Sequence, residues 1–207
     1  GLVKVGGRLS RPLGDHLESL GATIALEVGV AAQLVHAFAT DERPWRNVVL
    51  DRIPRSLERV RISAAEQGLN SLSWIEGDFF EPERWASSVG DRDQPGVLFT
   101  LHGHELLALG RERFKAGLRN LAECFPGWHL VLIEQPRLLP EQRASISTSR
   151  WLYSASNVLI HHLIGNGVIL THQGWLDLLE ESGCQCVAAP ALSYLDYRAY
   201  TTKLWSG

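Results

Sequence analysis

The chain contains no methionine, and position 1 is glycine. We therefore expect Gly1 to be a tag scar, or the chain to be a domain cut from something longer. Three cysteines are present, Cys124, Cys184 and Cys186. That odd number, without a Cys-x-x-Cys pair, argues against a disulfide framework and a thiolate zinc site. Cys184 and Cys186 alternate as along a strand, so their thiols should face opposite sides. No apolar run approaches the length of a membrane span, and no secretory signal is visible. The expected location is the cytoplasm. Net charge is −3, which provides no general pull toward nucleic acid or anionic membrane. The Asn-Pro-Pro-Tyr-type motif of base methylases is also missing. Neither nucleic acid nor membrane is an expected partner.

What is present suits a folded domain. The 207 residues are 45% apolar and 21% charged, enough for one sizeable core. The apolar pattern alternates between two periods. Short runs at 22–28, 47–51, 71–75, 96–101 and 129–134 read as buried strands. Between them, residues 30–39, 55–67, 82–88 and 105–124 read as helices, the last a single long amphipathic one. Residues 150–164 and 174–182 read as further helices, and 185–189 and 199–205 as a last pair of strands. The loops 87–95 and 137–148 look least ordered. This order predicts an α/β fold: a doubly wound, mostly parallel seven-stranded sheet with an antiparallel last strand. Residues 1–21 form a helical lead-in or the remnant of a preceding segment, and 22–207 form the domain.

In such sheets a ligand sits beyond the carboxyl ends of the strands, where strand order switches. The polar residues at those ends are Glu27, Asp51, Asp78, His102 and Glu134. The most informative stretch is Leu72-Ser-Trp-Ile-Glu-Gly-Asp-Phe-Phe80, an apolar run ending in Gly77-Asp78 and two aromatic rings. An acid at a strand end can accept hydrogen bonds from a ligand amino group, and the next ring can lie against a flat base. The plainer alternative is a surface turn whose Phe79 and Phe80 enter the core. Asp51 could equally cap a helix, Glu27 could bond loop amides, and His102 could be a satisfied strand-end histidine.

The series resembles class I S-adenosylmethionine-dependent methyltransferases over roughly residues 22–205. It is closest to the small-molecule O-methyltransferases and the C-methyltransferase domains of polyketide synthases. The matching residues are Glu27-Val28-Gly29, Asp51, Gly77-Asp78-Phe79, Leu101-His102, and Pro126-Gly127 followed by Leu132-Ile133-Glu134. The resemblance implies a Rossmann-like methyltransferase fold. It implies S-adenosylmethionine held by Glu27, Gly29, Asp51, Asp78 and Phe79. It also implies His102 as the base that deprotonates an oxygen or activated carbon, with Glu134 orienting its imidazole. The acceptor would be a small or carrier-protein-bound molecule of secondary metabolism. A second copy or neighbouring domain would close the site.

Two departures favour a rival reading, an inactive methyltransferase-fold interaction module. Val30-Ala31-Ala32 follow Gly29 where further glycines are expected. Near Ile169 the second glutamate of the O-methyltransferases is missing. A metal-assisted enzyme on the same fold would need His102, His104, His161, His162, His172 and Gln173 to converge. His161 and His162 point about 100° apart on one helix, and no carboxylate has ligand spacing on the same element, so no metal is expected. Candidates to line an acceptor pocket are Trp151, Tyr153, His161, His162 and Trp175.

Overall fold

A computed structural model describes residues 2–29, 33–41, 43–165, 167–192 and 196–205. Strands β1 (Ile24–Val28), β2 (Arg46–Asp51), β3 (Ser73–Glu76), β4 (Gly96–Thr100), β5 (His129–Glu134), β6 (Cys186–Ala188) and β7 (Arg198–Lys203) form one sheet. Its order is β3-β2-β1-β4-β5-β7-β6. The pairings from β3 through β5 are parallel, and β7 runs antiparallel to both neighbours. This is the doubly wound, mostly parallel seven-stranded architecture expected from the sequence. Strand order reverses between β1 and β4, so the crevice for a ligand opens beside the tips of those two strands.

The helices are α1 (Leu2–Ser19), α2 (Gln33–Thr40), α3 (Pro54–Glu66), α4 (Gly103–Ala108), α5 (Arg111–Cys124), α6 (Thr148–Ile164) and α7 (His172–Glu181). Side-chain alternation along the buried strands feeds two apolar layers. Leu26, Val28, Leu50, Leu98 and Leu132 pack on one face with Phe114 and Leu118 of α5 and Trp175 of α7. Ala25, Val49, Phe99, Val131 and Ile133 pack on the other with Leu9, Leu13 and Leu17 of α1 and Leu34, Val35 and Phe38 of α2. The three α1 leucines recur every fourth residue and are fully buried. Each contributes about 1.5–3 kcal/mol relative to exposure.

Two expectations differ from the structure. The long helix over 105–124 is two helices, because Gly110 takes φ +125°, a conformation that only glycine adopts readily. That break leaves α4 short and free to turn its own way over the strand tips. The helix expected over 82–88 is a pair of 3₁₀ turns, Pro82–Arg84 and Ala86–Val89.

Candidate active site

A cavity of about 310 Å³ opens beyond the tips of β1, β2 and β4. That is the low end of the range for small-molecule sites. Its lining includes Gly29, Asp51, Asp78, Phe79 and His102, five of the seven site residues expected from sequence. Arg52, Ile53, Glu105, Leu106 and Leu109 also line it.

Gly29 leaves β1 with φ +121°, and its N–H donates to the Leu50 carbonyl at 3.0 Å. A Cβ on Gly29 would stand 2.6 Å from His102 Cδ2. Glycine is thus needed twice here, for the dihedral and for the approach of the imidazole. Asp51 closes β2, almost fully buried, and its Oδ1 accepts from the Ile53 N–H at 2.8 Å. Burial raises the Asp51 carboxyl above its ordinary value, against the Ile53 hydrogen bond and the nearby His102 ring. Asp78 Oδ1 accepts from the Phe80 N–H at 3.0 Å, and the Asp78 carbonyl accepts from Trp85 Nε1 at 2.8 Å. That turn is possible because Gly77 has no side chain: a Cβ there would lie 2.5 Å from Trp85. Phe79 serves the core and the cavity together. Its ring packs edge-on against Phe80 and stacks at 6.2 Å on Phe114, while part of it lines the cavity.

Two expected residues are not in the cavity wall. Glu27 shares a face of β1 with Ala25, the face that packs under α2. There its Oε2 accepts from the Leu34 and Val35 N–H groups at 3.2 and 2.9 Å. It caps α2, where the helix dipole favours a carboxylate. Strand alternation is the physical reason: the side chain two residues beyond Ala25 returns to the same face.

Glu134 is placed otherwise than expected: its carboxylate meets His104. Its Oε2 lies 2.9 Å from His104 Nδ1, and its Oε1 accepts from the His104 backbone N–H at 2.9 Å. A Cβ on Gly103 would sit 2.8 Å from that Oε1, so Gly103 admits the carboxylate to the first turn of α4. The pair is nearly inaccessible: side-chain exposure is 13% for His104 and 2% for Glu134. Burial alone would lower the His104 value, but the Glu134 charge and hydrogen bond outweigh it and raise it. The His161 ring lies edge-on to His104 at 4.6 Å. The chain crosses this pair at Gly167, where a Cβ would be 2.7 Å from His104 Cδ2, and the next N–H, from Val168, donates to the His104 carbonyl. His104 therefore ties α4 to β5 and to the end of α6.

His102 is seated differently. Its N–H donates to Thr100 Oγ1 at 3.0 Å, fixing the step out of β4. Its Nδ1 is buried without an aligned hydrogen bond, and Glu105 Oε1 stands 3.4 Å away. Glu105 is the site residue that sequence reasoning missed. The signal was present as His102-Gly103-His104-Glu105, an acid three residues after a strand-end histidine at a helix start.

The acceptor-side candidates scatter. Trp175 is wholly in the core and His162 is exposed. Trp151 lines a separate hollow with Arg137 and Leu139. His172 bonds Tyr200 at 3.0 Å, away from the other imidazoles. Among the described residues no three His, Cys, Asp or Glu side chains are placed to hold a metal, and no helix is long and apolar enough to cross a membrane. Val30, Ala31 and Ala32 lie outside the described residues.

No protein-family model and no curated protein matches the chain. Solved structures do. The mitomycin 7-O-methyltransferase MmcR superposes with a TM-score of 0.70 at 19% identity, over 98% of this chain and 53% of its own. This is the methyltransferase fold. PigF, solved with SAH, matches with a TM-score of 0.68 at 16% identity, over 98% of this chain and 56% of its own. The S-adenosylmethionine-dependent methyltransferase SibL in its apo form matches with a TM-score of 0.68 at 19% identity, over 95% of this chain and 54% of its own. The chain thus spans about half the length of these proteins.

Proposed function

We propose that the chain binds S-adenosylmethionine and transfers its methyl group to an oxygen or activated carbon of a small or carrier-bound molecule. The observation that supports this most is the convergence of Gly29, Asp51, Asp78, Phe79 and His102 on one cavity at the switch in strand order. The similar structures of methyltransferases raise the weight of that reading, as does the mitomycin enzyme for an acceptor in secondary metabolism.

In this proposal Asp51 accepts the two ribose hydroxyls, as one carboxylate at a second strand tip can. Asp78 accepts from the adenine amino group, and the cavity-lining part of Phe79 lies against the base. Gly29 lets backbone approach the amino-acid end. Glu27 supports the site indirectly by holding α2. When bound, the cofactor supplies a sulfonium methyl group, open to direct displacement. The residues of the chain align the acceptor and expose its electrons. His102 removes the acceptor proton at Nε2, the ring nitrogen left over when Nδ1 faces Glu105. That task suits an imidazole.

In this proposal residues 1–21 are a lead-in to a methyltransferase-like domain of residues 22–207, a reading supported by Leu9, Leu13 and Leu17 of α1 buried against the sheet. A cytoplasmic site of action is part of the proposal. So is a neighbouring domain or second copy against α6, whose Leu152, Leu159 and Leu163 are exposed on one face.

Calorimetry with S-adenosylmethionine tests the proposal. Binding to the wild type, lost in Asp51→Ala, supports it. No heat at millimolar cofactor favours the interaction-module reading instead. His102→Ala should retain binding and lose turnover, and unchanged turnover would remove His102 from the chemistry.

A further inference from the structure

We propose that Glu105 is the positioning residue for His102, in place of Glu134. The inference rests on the reading of His102 as the base, and geometry carries it. Both oxygens of Glu134 are engaged by His104, through the ring and the backbone N–H. His102 Nδ1 is buried with no aligned partner. A polar ring atom left in that state has given up water without a replacement partner, which disfavours the arrangement. Glu105 Oε1 lies 3.4 Å from it, one helical turn further along the chain. The Glu105 side chain is half-exposed, so it is not locked in place by packing.

Glu105 lines the cavity beside His102, so the pair spans the wall. Nδ1 points to the carboxylate, Cδ2 is the ring atom nearest Gly29, and Nε2 is left for the acceptor. A proton held on Nδ1 by Glu105 leaves the Nε2 lone pair directed at the acceptor, the tautomer that a base needs. The other groups facing His102 do not offer this. Asp51 bonds Ile53, and His104 presents a second imidazole 6.4 Å away between ring centres. The charge balance agrees: the His102 contact holds the Glu105 carboxyl below its ordinary value, although burial opposes it. His104 also lies within 4.0 Å of Glu105 through its Nε2, so one carboxylate sits between the two imidazoles.

The experiment is nitrogen NMR of histidine-labelled protein, wild type against Glu105→Ala and Glu134→Gln, each with and without S-adenosylhomocysteine. The wild type should show the His102 proton on Nδ1. In Glu105→Ala that proton should move to Nε2, while His104 keeps its tautomer. In Glu134→Gln the His104 signals should move and those of His102 should not. Glu105→Asp, with a shorter reach, should restore part of the Nδ1 form. Unchanged His102 signals in Glu105→Ala, or His102 signals that respond to Glu134→Gln, would overturn the assignment. Calorimetric binding of S-adenosylhomocysteine by the same samples is a separate readout. Its absence would strike the cofactor reading and leave the tautomer result standing.

Discussion

His102 and His104 stand two residues apart, and each has a glutamate within reach, yet their surroundings assign them to different work. The His104–Glu134 pair lies outside the cavity lining, with Glu134 almost fully buried and the α4 backbone and the Gly167 turn built around it. The His102–Glu105 pair lies on the cavity wall, with a looser contact and a glutamate that is 39% exposed. A tightly satisfied buried pair fixes structure. A pair with slack, one atom wanting a partner and an open edge toward a cavity is what proton transfer requires. The lesson is that residue type and strand-end position do not by themselves separate a base from a brace.

The sharpest way to break this contrast is to cut each brace. Glu134→Ala removes one partner of a buried charged pair and uncaps α4, and should cost about 3–5 kcal/mol in urea unfolding. Glu105→Ala, on a half-exposed helix surface, should stay within about 0.5 kcal/mol. Equal losses would contradict the division of roles.

The two glycines that admit these pairs give a second test. Gly29→Ala meets both a positive φ and the His102 ring, and should cost about 1–3 kcal/mol together with most of the cofactor affinity. Gly103→Ala pushes on Glu134 Oε1 and should lower stability, leaving cofactor affinity of the folded protein nearly intact. Calorimetry and urea unfolding on both variants would check this.

pH offers a third. His104 is raised in the folded protein, so its contribution is fully present below the unfolded histidine value of about 6.5. It is lost as pH rises through the higher folded value. Glu134→Gln keeps an acceptor for the His104 N–H but removes the charge. Its stability deficit should be widest near the acid side of that window and shrink toward alkaline pH. A constant deficit would mean that the charge contributes nothing.

The smallest effect expected is a gain. Asp51 is raised by burial, so its ionised form is disfavoured in the fold above that value. Asp51→Asn should raise the melting temperature slightly at neutral pH while weakening cofactor binding, the trade expected where a residue is kept for a ligand.

Much of this was legible in the sequence. The five buried runs and the tips Asp51, Asp78 and His102 follow from periodicity and strand ends, and the β7 reversal from the resemblance to class I methyltransferases. The role of Glu27 was not, because it depends on which face of β1 packs under α2. Nor was the partner of Glu134, because it depends on α4 starting at Gly103, close enough for the carboxylate to reach a backbone N–H. The Gly110 break explains both the short α4 and the missed Glu105: a continuous helix over 105–124 makes that glutamate look like one more solvated surface acid.

A crystal of the protein soaked with S-adenosylhomocysteine tests the central claim most directly. The account predicts the ribose hydroxyls on the Asp51 carboxylate, the base between Asp78 and Phe79, and His102 Nε2 facing the position of the transferred methyl. A nucleoside bound elsewhere, or Asp51 and His102 turned away from it, would contradict the account.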